Sequence, residues 1–157
     1  MEKLIEISVL TPIYNHNIKY VQKCLESLMA QTLQKIEFIL IDNGANQESK
    51  KLIEEFLKKD KRFKVIHIEK NQGYGYAMKQ GLKLAQGEYI GIVESDDIIN
   101  KNMYLELANI AKTTKADIVK SLFSFYKNEA IQNIGITFDN KKYNKILKPK
   151  DVPEYCE

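Results

Sequence analysis

The chain has 157 residues, 44% of them hydrophobic and 10% aromatic, with 24 basic against 21 acidic residues and a formal net charge of +3. This is the size and apolar content of one compact domain, and charge of both signs scattered along the chain describes a solvated surface, so a nucleic-acid partner is not expected. No apolar run approaches the ~20 residues of a membrane helix, and Glu2, Lys3 and Glu6 stand where a signal peptide would be apolar. A cytoplasmic protein with no transmembrane segment is expected, which leaves room for peripheral membrane association.

The first apolar stretch, Ile5 to Leu10, is short and β-branched and ends at Thr11-Pro12, where a missing amide is expected to stop strand one. Ile18, Val21, Leu25 and Leu28 then recur at the helical period, with Gln31-Thr32 closing the helix. Cys24 lies on this helix and reads as a small apolar residue; the only other cysteine is Cys156, and neither has metal-ligand spacing.

The alternation repeats. Phe38 to Ile41 is a second apolar run, and Leu52, Ile53, Phe56 and Leu57 form a helical stripe behind an Asn46 cap. Val65 to Ile68 is a third run. Met78, Gly81, Leu82 and Ala85 mark a third helix, with Gly87 expected to end it in the left-handed conformation. Tyr89 to Val93 is the fourth run.

Strands that alternate with helices pair in parallel through right-handed crossovers, so the predicted fold is a Rossmann-like, doubly wound, mostly parallel α/β sheet. Tyr104, Leu107, Ala108 and Ala111 continue with a helical face, and Ile118 to Tyr126 reads as strand-like. Residues 1–127 are expected to form the domain. Residues 128–157, with two prolines and little periodicity, read as an irregular extension or the start of a further segment, in a chain truncated before its acceptor-binding part.

In an open parallel sheet, ligands bind beyond the carboxyl ends of the strands. Here those positions are polar: Pro12-Ile13-Tyr14-Asn15, Asp42-Asn43-Gly44, Glu69 to Gly73, and Glu94-Ser95-Asp96-Asp97. The last group crowds three carboxylates into four residues, a cost that a divalent cation would remove. Oxygen ligands of this kind suit Mg²⁺ or Mn²⁺, which commonly join carboxylates to substrate phosphates.

Each group also has a plainer reading. Ser95-Asp96-Asp97 could cap the following helix or make a turn, and Asp42-Asn43-Gly44 could be a turn instead of a base or ribose contact. Tyr14 could be core packing, or stack on a base. The glycines Gly73, Gly75 and Gly81 do not fit the dinucleotide fingerprint, and no Gly-Lys-Ser/Thr run wraps a triphosphate.

Together these residues resemble the family 2 glycosyltransferases of the GT-A fold. The resemblance is carried by Ser8 to Asn15, Ser27-Leu28 with Gln31-Thr32, Glu37 to Gly44, Asn71 to Gly81, and Gly87 to Ile90 running into Glu94 to Asp97. It implies hexosyl or N-acetylhexosaminyl transfer from a nucleotide-sugar donor, in the first place a UDP-sugar, to a glycan or lipid-linked acceptor in polysaccharide synthesis, with inversion.

The resemblance also implies site roles. Pro12, Tyr14, Asn15, Asp42, Asn43, Asn71 and Gly73 would line the nucleotide pocket, and Lys79 would reach a phosphate. Glu94, Ser95, Asp96 and Asp97 would form the Asp-any-Asp-like motif, with Asp96 the metal ligand. This chain has Glu94 where the motif opens with aspartate, Asn43 where many members have a second aspartate, and Met78-Lys79 for a frequent Arg-Asn pair. The general base is expected beyond Glu157, so the alternative is a nucleotide-sugar-binding module without turnover. A further alternative is an interaction domain that only shares the fold.

Overall fold

A computed structural model describes residues 5–121, 124–127 and 130–132. Four strands, β1 (Ile7–Ile13), β2 (Ile36–Asn43), β3 (Phe63–Ile68) and β4 (Tyr89–Ile92), alternate with α1 (Ile18–Met29), α2 (Gln47–Lys59) and α3 (Tyr74–Leu84). All pairings among them are parallel, in the order β3-β2-β1-β4. The chain therefore steps outward from β1 to β3 and then returns to the far side of β1. With right-handed crossovers, that reversal sends α1 and α2 to one face and α3 to the other.

The core shows the two faces. Val9 and Ile13 of β1 and Phe38 and Leu40 of β2 pack with Val21, Leu25 and Leu28 of α1 and with Ile53 and Phe56 of α2. The alternate residues Leu10, Ile39 and Ile41 meet Ala77 and Met78 of α3. β1 and β2 are buried along their whole length, as strands covered on both faces should be.

Several details differ from the sequence expectations. β1 does not stop at Thr11-Pro12: it pairs with β2 through Ile13. In a parallel strand, one residue's N–H and C=O point to the same neighbour, and alternate residues face alternate neighbours. Leu10 O accepts from Val93 N, so Pro12 faces the β4 side, past the last β4 residue, where its missing N–H breaks no ladder bond.

Gly87 does not end α3 in the left-handed conformation; Ala85 follows the helix in extended geometry. Gly87 is instead a point of close approach, where a Cβ would lie 2.4 Å from Ser8 N. Leu82, expected on the buried face of α3, is 51% exposed.

The chain divides into two compact units, one ending at Ala108 and one beginning at Asn109. A fourth helix, α4 (Met103–Thr114), crosses that boundary. In the second unit, β5 (Phe125–Lys127) and β6 (Ala130–Gln132) pair antiparallel. The strand expected from Ile118 to Tyr126 is observed only from Phe125. Residues 133–157, with Lys141-Lys142 and Cys156, lie outside the described residues. Among the described residues no helix is long and apolar enough to cross a membrane.

Candidate nucleotide-sugar site

The reversal between β1 and β4 opens a crevice at the carboxyl ends of the strands, the place where ligands bind in sheets of this type. A cleft of about 270 Å³ lies there, lined by Pro12, Ile13, Tyr14, His16, Asn43, Asn71, Gly73, Tyr74 and Glu94. Six of the twelve expected site residues (Pro12, Tyr14, Asn43, Asn71, Gly73 and Glu94) are brought together on its walls. Tyr14 is 40% exposed, so its ring is not spent on core packing.

The remaining expected residues lie off the cleft lining. Asn15 is exposed on the loop beside Tyr14, and Lys79 is on an exposed face of α3. Asp42 is buried: one carboxylate oxygen accepts from Ala45 N at 2.7 Å, and the other lies 2.9 Å from His67 Nδ1 and 3.9 Å from Lys50 Nζ. Lys50 is thus partnered with a buried carboxylate.

Asn43 joins two loops. Its Nδ2 donates to Asn71 Oδ1 (3.0 Å) and Gly73 O (3.3 Å), and its Oδ1 accepts from Gln72 N (3.1 Å). Gly44 makes the approach possible. Its φ is +74°, and a Cβ there would lie 2.6 Å from Asn71 N.

The acidic group is a turn closed by Asp97 N donating to Glu94 O at 3.0 Å. It does not cap the next helix, since α4 begins beyond it, at Met103. Helix α1 holds this segment from the side. The Cys24 thiol donates to Glu94 O (3.4 Å), Ser27 Oγ accepts from Ile99 N (3.2 Å), and Gln31 Nε2 donates to Asn100 O (2.8 Å). Cys24 and Ser27 share one face of α1 and Gln31 follows just past its end, which gives Ser27 and Gln31 a physical role in placing the acids.

Burial, followed by the charges of Asp97, Asp96 and Glu94, pushes the Cys24 thiol up to about 12, so it stays a protonated donor. Burial first, then Asp96 and Glu94, also raises the Asp97 carboxyl. Among the described residues, no lysine or arginine forms an ion pair with these acids, and no three acidic, histidine or cysteine side chains form a ready-made metal cage.

Two polar lining residues were not anticipated from sequence. His16 Nδ1 lies 2.6 Å from the buried Ser95 Oγ, and Tyr74 Oη donates to Glu94 Oε1 at 2.8 Å. Both sit directly beside expected residues, His16 after Asn15 and Tyr74 after Gly73. Their partners are far away in sequence, which no local pattern reports.

Glycosyltransferase GlyG of Streptococcus pneumoniae serotype 4 is 42% identical over 113 residues, covering 72% of this chain and 37% of its own length. The uncharacterized glycosyltransferase EpsJ of Bacillus subtilis is 36% identical over 148 residues, covering 94% of this chain and 42% of its own. The chain therefore spans about two fifths of the length of these relatives.

Among solved structures, S. aureus TarS 1-349 in complex with UDP-GlcNAc aligns with a TM-score of 0.66 and 26% identity, over 78% of this chain and 38% of that one. The mannosyltransferase PcManGT of Pyrobaculum calidifontis, in complex with GDP-Man and Mn²⁺, shares the fold at 18% identity and a TM-score of 0.62, over 71% of this chain and 33% of that one. Residues 8–155 match the family described as Glycosyl transferase family 2, and the chain belongs to that family.

Proposed function

We propose that this chain forms the donor-binding part of a glycosyltransferase and holds a nucleoside-diphosphate sugar, in the first instance a UDP-sugar, in the cleft beyond β1 to β4. The observation that carries this reading is the convergence of Pro12, Tyr14, Asn43, Asn71, Gly73 and Glu94, from the carboxyl ends of four separate strands, on that one cleft. The UDP-GlcNAc complex of the TarS relative supports the choice of a uridine nucleotide.

In this reading Tyr14 offers its ring to the base, and the Asn43-clamped loop of Asn71 to Gly73 closes the pocket around it. Glu94 accepts a hydrogen bond from a hydroxyl of the donor. Asn15 and Lys79 stand at the rim, and Asp42 supports the pocket from beneath through Ala45 and His67.

The acidic turn suits a divalent cation by its donor set. Its crowded carboxylates raise Asp97 and have no cationic partner among the described residues, and Mg²⁺ or Mn²⁺ is ordinarily held by one or two carboxylates together with substrate phosphates. Asp96 is the residue we assign to hold it, with Asp97 beside it. When bound, such a cation offsets charge gathering on a departing nucleoside diphosphate.

Transfer would invert the anomeric carbon and deliver the sugar to a glycan or lipid-linked hydroxyl. The general base belongs to the acceptor side, and none of the residues around this cleft is assigned to it. That leaves a second reading, donor binding without turnover by these residues.

Calorimetric titration of UDP and UDP-GlcNAc, with and without Mn²⁺, tests the proposal. Metal-strengthened binding is expected. No heat at millimolar nucleotide would overturn it, and measurable donor hydrolysis or transfer would remove the second reading.

A further inference from the structure

The segment at the mouth of the cleft is pinned from two sides. The Cys24 thiol of α1 holds Glu94 O at 3.4 Å, and His16, in the loop after β1, lies 2.6 Å from Ser95 Oγ. The Glu94 side chain is held differently. Its three rotatable bonds leave the carboxylate free to sweep the cleft wall, and among the described residues its side-chain partner is the Tyr74 phenol, at 2.8 Å on Oε1. Both residues line the cleft, Tyr74 from the first position of α3 and Glu94 from the turn after β4.

We propose that Tyr74 is a positioning residue of the donor site: it acts through Glu94, fixing the carboxylate so that Oε2 faces a hydroxyl of the bound nucleotide. The inference rests on the donor-site reading above and adds a residue to it. Oε1 is occupied by the phenol, and Oε2 keeps its acceptor capacity. Burial, the hydrogen bond to Glu94 and the Glu94 charge push the Tyr74 phenol up to about 12, so it remains a neutral donor throughout the physiological range. The Tyr74 ring is 52% exposed, and replacing it by phenylalanine removes the hydroxyl while keeping the wall of the cleft.

The test is a double-mutant cycle read by UDP affinity in the presence of Mn²⁺, with the parent chain, Tyr74→Phe, Glu94→Ala and the double variant. Tyr74→Phe is expected to weaken UDP binding roughly three- to tenfold in the parent and to change nothing once Glu94 is alanine. Equal losses in both backgrounds, or no loss in either, would overturn the proposal.

A ligand-free readout decides the same point. In protein labelled with ¹³C-glutamate, Tyr74→Phe should move the Glu94 carboxyl resonance, and an unmoved resonance overturns the proposal. A parent chain that binds no UDP is a different result: it overturns the donor-site reading, and this inference with it. Binding by the parent with additive losses overturns the role of Tyr74 alone.

Discussion

The Ser8 hydroxyl on β1 donates to Glu37 Oε1 on β2 at 2.5 Å, within a register pair whose two side chains are buried. The same carboxylate oxygen accepts from Gln86 N at 2.8 Å, and Ser8 Oγ accepts from Gly87 N at 2.7 Å. On β3, Lys64 Nζ reaches Glu37 Oε2 at 2.6 Å. One buried carboxylate thereby ties three strands to the segment that leads from α3 into β4.

Burial by itself would raise the Glu37 carboxyl, but the hydrogen bonds from Lys64, Ser8 and Gln86 N–H and the charge of Lys64 outweigh it and hold the group below its ordinary value of 4.5. A carboxyl depressed on folding contributes stability in full above that value and loses it as pH falls through the folded value. Glu37→Gln should therefore cost about 2–4 kcal/mol at pH 7, and the gap from the parent should narrow below pH ~4.5. Urea melts across that range check it; a gap that widens on acidification would contradict the assignment.

Arg62, the single arginine of the chain, closes the end of α1. Its guanidinium donates to Met29 O (2.6 Å), Gln31 O (2.9 Å) and Leu33 O (3.3 Å) while paired with Asp60 at 2.7 Å. A lysine cannot reproduce that planar fork. Arg62→Lys is expected to lose about 2–3 kcal/mol, nearly as much as Arg62→Ala, in equilibrium denaturation.

Asn43 needs both an amide donor and a carbonyl acceptor to clamp the loop from Asn71 to Gly73. Asn43→Asp would place a carboxylate 3.0 Å from Asn71 Oδ1 and lose two donated hydrogen bonds. Its stability should fall by about 1–3 kcal/mol. UDP affinity should fall with it, and calorimetry at neutral pH would reveal unchanged binding if the clamp were irrelevant to the pocket.

Asp96→Ala removes one of three crowded charges, so its melting temperature should equal or exceed that of the parent. Loss of the Mn²⁺ enhancement of UDP binding is the expected companion. If Mn²⁺ strengthens binding equally in the variant, Asp96 does not hold the ion.

Much of the fold was readable because apolar periods of two kinds alternate, and local signals marked some boundaries well. Asn46 caps α2 as expected, its Oδ1 accepting from Ser49 N at 2.9 Å. Pro12 misled because its tolerance depends on where β4, far along the chain, comes to an end. Gly87 misled because close approach to Ser8 and a helix-ending turn both select glycine. The polar strand ends pointed to the cleft, yet Tyr74 and His16 escaped notice because each acts across loops. Asp42 was visible as an acid in a turn, but its pairing with His67 requires the register of β2 on β3.

Placing β4 beside β1 has a consequence for how the molecule assembles. The last of the four strands docks next to the first, so the walls carrying Tyr14 and Glu94 meet across a loop of chain that contains two intervening strands. Long-range closure of this kind slows folding and makes the crevice a product of the whole unit. A nucleotide that recognises only the finished crevice would then stabilise every strand at once, by ~2.7 kcal/mol at a hundredfold excess over Kd.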